Sequence, residues 1–320
     1  MLHYEPKDLS VREVHRFLLG GVAPRPIALV STISKDGINN LSPFSFFNAF
    51  GANPPIVAFS PSRRGRDATL KDTYNNLLTT KECVIQSVTH SIVEQVNLAS
   101  AELSPDIDEF IKSGLTPINS DVVKPKRVKE SPFQMECKLL EIKSFGEQGA
   151  SANLAICEVV KFHIAEDLFT DGIIDPVKID LVARMSGDFY SRAGSDVFTL
   201  KMPGTKKCIG YDQIPEHIRK SEIYSANDLG KFGNSESIPT QEEVDSFIKK
   251  IIEEKIDGFE EGIEAFLRYQ RLDDYKKMFK TALGIKENRK RHIELSVKSA
   301  LKNKDMDFAW KVALYVKYLK

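Results

Sequence analysis

Short runs of apolar and β-branched residues, separated by turn residues, fill the chain from residue 24 to residue 203. This pattern predicts β-strands, at residues 27–33, 56–59, 83–88, 135–144 and 153–164. Helical spacing in this part is limited to residues 70–78, 92–101 and 176–183. Because the strands lack the regular βαβ alternation of a parallel sheet, we expect a mainly β fold. An antiparallel barrel, closed or nearly closed, with a few short helices fits this pattern.

Beyond residue 240 the apolar positions follow a helical period instead. The stripe formed by Val244, Phe247, Ile248, Ile251 and Ile252 is typical of an amphipathic helix. Further helical patterns occur near residues 263–267, 275–283, 293–301 and 308–319. The end of the chain is therefore predicted to be an α-helical extension.

Residues 206–239 carry few strand or helix signals and several Gly, Asn and Ser residues, which predicts an ordered connecting segment. The chain of 320 residues is long enough for a core domain with a smaller addition. The sequence thus divides into a barrel at residues 1–205, a connecting segment at 206–239 and a helical extension at 240–320.

Charge and composition narrow the range of partners. The 45 Lys and Arg residues balance 45 Asp and Glu residues, so we expect no bulk attraction to nucleic acid or to an anionic membrane. No apolar run approaches the roughly 18 residues that span a bilayer. The four cysteines are widely spaced and the first residues lack a secretory pattern, so we expect a cytoplasmic protein with free thiols. Three of these cysteines lie in apolar, strand-like runs, where a thiol packs as a small hydrophobe.

The charge is uneven at the end of the chain. Residues 276–320 hold 13 Lys and Arg against 4 Asp and Glu, a local balance of +9. Two interpretations stay open, because such cations form either a solvated helical face or a docking surface for an acidic protein partner.

The motifs of several common enzyme classes are missing from the sequence. No GxGxxG follows a predicted strand, no GxxxxGK[ST] is present, and no GxSxG marks a hydrolase. The six histidines form no HxH or HExxH cluster, so we expect no metal site. We also predict no catalytic acid–base pair.

One dense segment combines polar and aromatic residues in a way that a plain core does not require. It reads RPIALVST at residues 25–32, NLSPFSFFN at 40–48 and NPP at 53–55. Amides and hydroxyls of such loops bind the polar edge of a flat ring, while apolar side chains cover its faces. The segment therefore favours a ligand such as an isoalloxazine ring.

A second cluster reads SPSRRGR at residues 60–66, and KDT at 71–73 opens a predicted helix. Hydroxyls, cations and the first amides of a helix are the groups that bind a phosphate dianion. By itself the cluster is better explained as a basic surface loop that is capped into a helix. Beside the aromatic segment it indicates the second end of one ligand, flavin mononucleotide (FMN).

Taken together, these motifs resemble the flavin-reductase-like FMN-binding family over about residues 11–203. The later segments CEVVKFHI at 157–164 and RMSGDFY at 184–190 are also similar to the family. The resemblance implies an FMN-binding split β-barrel that forms a homodimer. The helical extension matches no part of the basic barrel.

The resemblance also implies which residues bind the cofactor. Against the flavin ring it places Ser31 and Thr32, the backbone around Ser45, Phe46 and Phe47, and a polar contact from Asn48. Around the phosphate and ribityl chain it places Arg64, Lys71, Asp72 and Thr73, with Ser60 and Ser62 nearby. For Asp72, which is acidic beside a dianion, orienting Lys71, capping the helix and accepting a ribityl hydroxyl are all open.

The resemblance extends to two further regions, each with more than one interpretation. Arg184 and Tyr190 match a family motif near the barrel mouth, where a nicotinamide or substrate stacks on the flavin, and Tyr190 is equally consistent with a structural aromatic. His163 is a second candidate substrate residue, or an ordinary strand histidine. The family's Gly- and Pro-rich loop is replaced by Arg63-Arg64-Gly65-Arg66, so the arginine that meets the phosphate stays open.

The leading hypothesis is an FMN-dependent oxidoreductase of the NAD(P)H:flavin reductase type. NADH or NADPH passes a hydride to the flavin, and a small electron acceptor or a partner enzyme receives the electrons. The alternative is a flavin-binding electron carrier or scaffold without turnover, whose helical tail binds another protein. A third interpretation is a structural barrel with no flavin.

Overall fold

The structure is a computed structural model that describes residues 1–200, 202–203 and 207–319. It divides the chain into two compact units, Met1–Thr199 and Leu200–Lys320. This boundary lies close to the end of the predicted barrel, and it assigns the predicted connecting segment to the second unit. Among the described helices, none combines the length and the apolarity that crossing a membrane requires.

The first unit is mainly β, as the sequence predicts. Its strands are β1 (Arg25–Pro26), β2 (Ala28–Ile33), β3 (Asn39–Phe44), β4 (Phe47–Ala52), β5 (Pro55–Phe59), β6 (Glu82–Ser87), β7 (Pro117–Ile118), β8 (Arg127–Val128), β9 (Phe133–Phe145), β10 (Ala152–Ile164), β11 (Phe169–Thr170), β12 (Ile173–Ile174), β13 (Val182–Arg184) and β14 (Tyr190–Arg192). Its α-helices are α1 (Val11–Gly21), α2 (Asp72–Thr80), α3 (Val93–Leu98) and α4 (Glu109–Ser113).

Seven of these strands form one antiparallel sheet in the order β3-β2-β6-β9-β10-β5-β4. The two edge strands, β3 and β4, follow each other in the chain and are joined only by Ser45 and Phe46. Because three peptide steps reach at most about 11 Å, the edges must come together and the sheet must curl. The result is a split barrel whose opening lies at the Ser45-Phe46 connection.

The barrel interior is filled by the side chains that the strand pattern predicts. Ala28, Val30, Phe59 and Ile85 are among its buried members. Cys83, Cys137 and Cys157 are buried in the same core, so the prediction that these cysteines pack as small hydrophobes is confirmed. The hydrogen bond with Cys137, together with burial, raises the pKa of the Cys83 thiol, which keeps it protonated.

The predicted helix at residues 176–183 is wrong. Residues 176–178 form a turn, and residues 182–184 form β13, which pairs with β1 and β14. The apolar residues of this stretch, Ile179 and Val182, are buried, but strand pairing rather than a helical face achieves that burial. Tertiary pairing therefore overrides a short helical pattern.

The second unit is helical. Its helices are α5 (Glu216–Arg219), α6 (Ala226–Gly233), α7 (Gln241–Glu253), α8 (Ile263–Arg271), α9 (Tyr275–Gly284), α10 (Arg289–Lys302) and α11 (Met306–Tyr315). The last five coincide with the predicted helical stretches. The first two lie in the predicted connecting segment, and Ile218 and Phe232 from them are buried in the same core as Val244 and Trp310.

The α8–α9 and α10–α11 pairs share a repeated pattern in the turn and in the second helix. Asp274 caps α9 and Asp305 caps α11, each with its side chain accepting the N–H three residues later, and the two lie 31 residues apart. The residues before them, Asp273 and Lys304, have φ values of 57° and 63°. Each second helix buries the same four positions, which are Met278, Phe279, Thr281 and Ala282 in α9 and Ala309, Trp310, Val312 and Ala313 in α11. The unit therefore repeats one turn-and-helix pattern at an interval of 31 residues.

Candidate active site

A cavity of about 590 Å³ opens beside the Ser45-Phe46 connection of the barrel. It is lined by α1, by the end of β3, by the loop after β5, by the start of α2, by Glu102 and by the hairpin between β9 and β10. The lining residues are Val11, Arg12, His15, Pro43, Phe44, Ser45, Phe46, Ser60, Ser62, Arg63, Arg64, Gly65, Lys71, Glu102 and Ala150.

One wall of the cavity is aromatic because the chain crosses between the two barrel edges here. Phe44, the last residue of β3, is buried and packs against Phe59 with ring centroids 5.3 Å apart. Phe46 is 38% exposed, so its ring is accessible to a ligand. Its main-chain oxygen accepts a hydrogen bond of 2.9 Å from the Ser60 amide, which fixes the connection against the loop after β5.

A second wall is α1, a helix that was not predicted from the sequence. Ser10 and Glu13 form a capping box that starts the helix, and this S-x-x-E pattern was the available signal. Val11, Arg12 and His15 from the first half of α1 line the cavity. The His15 ring meets the Phe46 ring edge-on at a centroid distance of 6.3 Å.

Lys71 marks the cationic end of the cavity. It is the N-cap residue of α2, and its own side chain makes no capping hydrogen bond to the first N–H groups of that helix. Uncapped amides and the positive end of the helix dipole favour an anion at this position. Burial, with the nearby Arg64, lowers the pKa of the Lys71 ammonium. An anionic ligand would relieve that unfavourable environment.

Arg64 lies beside Lys71 and is held from several sides. Its Nη1 donates to the Leu70 main-chain oxygen at 2.7 Å, and its guanidinium lies 3.6 Å from the Asp72 carboxylate. Glu102 approaches Arg64 Nε at 3.7 Å. The acidic residue at the start of α2 thus orients Arg64, which is a role that the sequence analysis did not assign to it.

The neighbouring arginines differ in where they point. Arg63 lines the cavity, and within the described part of the chain its buried Nε has no hydrogen-bond partner. The Arg66 side chain is 76% exposed, pairs with Glu102 at 3.2 Å and lies outside the lining. Arg63 and Arg64, rather than Arg66, are therefore the loop cations available to a ligand in the cavity.

The loop that carries these cations rests on the hairpin between β9 and β10. The Arg63 amide donates to the Ser151 main-chain oxygen at 3.0 Å, and the Ala150 amide donates to the Arg63 oxygen at 3.2 Å. Gly149 permits this contact, because a Cβ at that position would lie 2.6 Å from the Gly65 oxygen. Ser60 Oγ and Ser62 Oγ lie 3.0 Å apart on the cavity side of the same loop.

A buried polar network supports the start of α2 from below. Asn40 Oδ1 accepts hydrogen bonds from Thr32 Oγ1 at 3.0 Å and from Thr73 Oγ1 at 2.8 Å. Asn40 Nδ2 donates to Glu109 at 3.0 Å. Burial, which outweighs the hydrogen bonds to its carboxylate, raises the pKa of Glu109. The network ties α2 to β2 and β3, and so positions Lys71.

The structure brings half of the predicted cofactor residues together around the cavity: Ser45, Phe46, Ser60, Ser62, Arg64 and Lys71. The other six lie outside the lining, and these are Ser31, Thr32, Phe47, Asn48, Asp72 and Thr73. Ser31 donates from its buried hydroxyl to the Lys126 main-chain oxygen, and Thr32 and Thr73 belong to the Asn40 network. Phe47 packs against the barrel core, and Asn48 is exposed on β4.

The three predicted substrate residues also lie outside this lining. Arg184 donates to the Tyr190 hydroxyl and stacks on its ring, with the guanidinium carbon 4.6 Å from the centroid. His163 Nε2 lies 2.7 Å from Glu136 Oε1. The structure therefore gives all three residues partners within the protein.

Glu136, His163 and Asp121 form a cluster of the kind that binds metals in other proteins. Burial opposes ionisation of the Glu136 carboxylate, but hydrogen bonds from the Asp121 amide and from His163 outweigh it and lower its pKa. Lys161 pairs with Asp121. Because these donor atoms are already engaged, the cluster is explained as an internal hydrogen-bond network.

Comparison with known proteins decides the family. The model of the flavin reductase like domain matches residues 20–177. An uncharacterized protein of Halalkalibacterium halodurans is 40% identical over 200 residues, which cover 62% of this chain and 95% of that protein. This chain belongs to the flavin reductase like family. More than a third of the chain lies outside that alignment.

Solved structures of the flavin reductase like fold agree with this assignment. Nitrilotriacetate monooxygenase component B from Bacillus cereus is 34% identical, with a TM-score of 0.59 over 62% of this chain and 98% of that chain. The 2-nitrobenzoate 2-nitroreductase of Pseudomonas fluorescens is 26% identical, with a TM-score of 0.56 over 65% of this chain and all of that chain. A Shewanella frigidimarina protein with a split barrel domain is 29% identical, with a TM-score of 0.54 over 63% of this chain.

Proposed function

We propose that this chain is an FMN-dependent oxidoreductase that takes electrons from NADH or NADPH. The observation that carries the proposal is the composition of the cavity between α1 and the barrel opening. Its lining combines Phe46 and main-chain groups of the Ser45-Phe46 connection with the cations Lys71 and Arg64. A flat ring joined to a phosphate dianion has the same two-ended chemistry.

The residues of the anion end fit a phosphate group. Lys71 and Arg64 supply cations, α2 supplies uncapped amides, and Ser60 and Ser62 supply hydroxyls. The partnerless Nε of Arg63 is one more donor that faces no acceptor among the described residues. Phosphate oxygens accept several charge-assisted hydrogen bonds at once, which would satisfy these groups together.

The protein's contribution to the reaction is binding, orientation and exclusion of water. FMN supplies the chemistry of hydride and electron transfer when it is bound. Phe46 and His15 would cover the ring, while Lys71 would hold the phosphate. Hydride transfer requires no acid–base side chain at the ring, which agrees with the lack of a predicted catalytic residue.

The family relationship supports an oxidoreductase. Two of the similar structures are a monooxygenase component and a nitroreductase by name, at 34% and 26% identity. Those names describe reactions that move electrons, and they concern different substrates. The proposal for this chain is accordingly the shared redox step, with the acceptor left to experiment.

The test is an absorbance spectrum of the purified full chain between about 300 and 550 nm, before and after FMN is supplied and then after NADH or NADPH is added. The proposal predicts two flavin bands that lose intensity with a nicotinamide. Bands that persist would contradict turnover and favour the electron carrier or scaffold. If no bands remain after FMN is supplied and free ligand is removed, flavin binding itself is refuted.

We also propose that the first unit forms a homodimer. Strand β4 is an edge of the seven-stranded sheet, and five of its six residues are exposed. Phe50 on this strand is 67% exposed, and an uncovered apolar edge favours pairing with another chain. Light scattering of the full chain and of Phe50→Asp tests this proposal, which predicts a dimer for the natural chain and a monomer for the variant.

A further inference from the structure

Arg25 carries a buried charge at the point where the chain passes from α1 into the barrel. The residue is only 4% exposed, and it stands on the short strand β1 opposite Arg184. Burial, together with the charge of Arg184, lowers the pKa of its guanidinium. A charge in such a place is costly unless hydrogen bonds compensate for the lost water.

The hydrogen bonds of Arg25 connect two separate parts of the chain. Nη1 donates to the main-chain oxygens of Leu19 at 2.6 Å and of Val22 at 2.7 Å, which lie at the end of α1. Nη2 donates to the Met185 oxygen at 2.8 Å, in the turn after β13. One guanidinium therefore joins the last turn of α1 to the β13–β14 hairpin.

Helix α1 depends on this contact more than an ordinary helix would. None of its eleven residues is fully buried, and its last turn contains no basic residue. Arg25 supplies the positive charge that the carbonyl end of a helix favours. The close approach of Gly20 to Ser186, where an added Cβ would lie 3.7 Å from Oγ, brings the same two segments together.

We propose that Arg25 is a positioning residue that fixes α1 as a wall of the ligand cavity. The first half of α1 supplies Val11, Arg12 and His15 to the lining, while its last turn is held by Arg25. Loss of the anchor leaves Lys71 and Arg64 in place, because they stand on other elements. This inference rests on the proposed function only where ligand binding is concerned.

The experiment compares the full-length Arg25→Met, Arg25→Lys and Arg16→Met variants with the natural chain. Arg16 is an exposed arginine of α1 outside the cavity lining, so it is the matched control. Hydrogen exchange measures the opening of α1, and titration measures the affinities for FMN and for riboflavin. Guanidinium chloride at low concentration is then added to Arg25→Met, because the free ion can replace the missing group.

For Arg25→Met we expect α1 amides to exchange about tenfold faster or more, because hydrogen bonds to a charged group are lost. Affinities for FMN and riboflavin should fall by the same factor, about tenfold, because the phosphate end is intact. Guanidinium should restore part of both effects, Arg25→Lys should be intermediate, and Arg16→Met should change neither.

Unchanged exchange in α1 would overturn the anchor, whatever the ligand titrations show. Faster exchange with unchanged affinities for both flavins would overturn the role of α1 as a wall of the site. A natural chain that binds no flavin would refute the proposed function, and the exchange data alone would then decide whether Arg25 anchors α1. If Arg25→Met does not fold, the same measurements on Arg25→Lys test the proposal.

Discussion

The ammonium of Lys71 lies 5.2 Å from the ring centroid of Phe44, so the cation at the start of α2 contacts the aromatic end of β3. These two residues belong to motifs that the sequence assigns to opposite ends of one ligand. Their contact joins both motifs in a single cavity. It also places Lys71 in partly apolar surroundings, which explains why burial is the main cause of its lowered pKa.

The first prediction concerns the pH dependence of ligand binding. The pKa of free Lys71 is lowered below its ordinary value of 10.5, so the ammonium loses its proton earlier than an ordinary lysine as pH rises. The ratio of FMN affinity to riboflavin affinity should therefore fall as pH rises through this lowered pKa. Fluorescence titrations across the alkaline range measure the ratio.

Lys71→Arg is the control for this profile, because a guanidinium stays charged throughout the same range. In that variant the FMN-to-riboflavin ratio should stay level across the alkaline range. A natural chain whose ratio is also level up to the ordinary lysine value would show that Lys71 does not meet the phosphate.

The second prediction concerns Glu136, which accepts hydrogen bonds from the Asp121 amide at 2.8 Å and the Val123 amide at 3.0 Å, and lies 2.7 Å from His163 Nε2. Glu136→Gln should lower the free energy of unfolding by about 2–3 kcal/mol at pH 7, because a neutral amide replaces a buried charged acceptor. Urea unfolding followed by circular dichroism measures the loss. Glu141→Gln, at an exposed position of the same strand, should be neutral.

Glu136 also makes the free energy of unfolding of the natural chain depend on pH, in a direction that can be stated. The folded-state pKa of Glu136 lies below its unfolded value of about 4.3, so its stabilising effect is complete above that value. The effect is lost as pH falls through the folded-state pKa. The stability difference between natural chain and variant should therefore shrink on acidification, and a difference that grows would contradict this account.

The third prediction concerns Asn40, which links α2 to the barrel. Asn40→Ala leaves Thr73 and Glu109 without their buried partner, so the free energy of unfolding should fall by about 3 kcal/mol. FMN affinity should fall as well, because the start of α2 is no longer held. Asn75→Ala, at an exposed position of α2, is the control and should leave both quantities unchanged. If Asn40→Ala is destabilised but binds FMN with full affinity, the Asn40 network does not support the ligand site.

The fourth prediction concerns the repeated hairpins of the second unit. Asp274→Ala removes one helix cap and should cost about 1 kcal/mol. Asp305→Ala should cost more, about 2 kcal/mol, because Asp305 also accepts a hydrogen bond from the Tyr275 hydroxyl at 2.9 Å. The chain's one tryptophan, Trp310, is buried in this unit, so its fluorescence reports the unfolding. Asp307→Ala is the control, because it removes a surface charge from α11 without removing a helix cap.

The strands were predictable because the alternation of apolar residues and turns is a local signal. The buried positions of β2, β6 and β10 follow directly from that pattern. The helices α5 and α6, of four and eight residues, were missed because residues 206–239 carry few helix signals and several Gly, Asn and Ser residues. Their burial depends on contacts with α10 and α11, which lie far away in the sequence.

The chemistry of the candidate site was predictable from the sequence, but only some of the residues that line it were. Lys71, Arg64 and Phe46 stand in motifs whose composition indicates a cation or an exposed ring. Ser31 and Thr32 share a motif with the site, yet both are fully buried, because their strand β2 is paired on both sides, with β3 and β6, and both hydroxyls bond within the protein. The S-x-x-E pattern could have indicated α1, but only the folded chain could show that Arg12, His15 and Glu102 line the cavity.

The most direct test of the central claim is a comparison of FMN and riboflavin affinities in the natural chain and in a double variant, Lys71→Ala with Arg64→Ala. Arg66→Ala is the control, because this exposed arginine of the same loop lies outside the cavity. The account predicts that the double variant loses about a hundredfold in FMN affinity and little in riboflavin affinity. Equal losses for both ligands would contradict it, because the phosphate would then lie elsewhere.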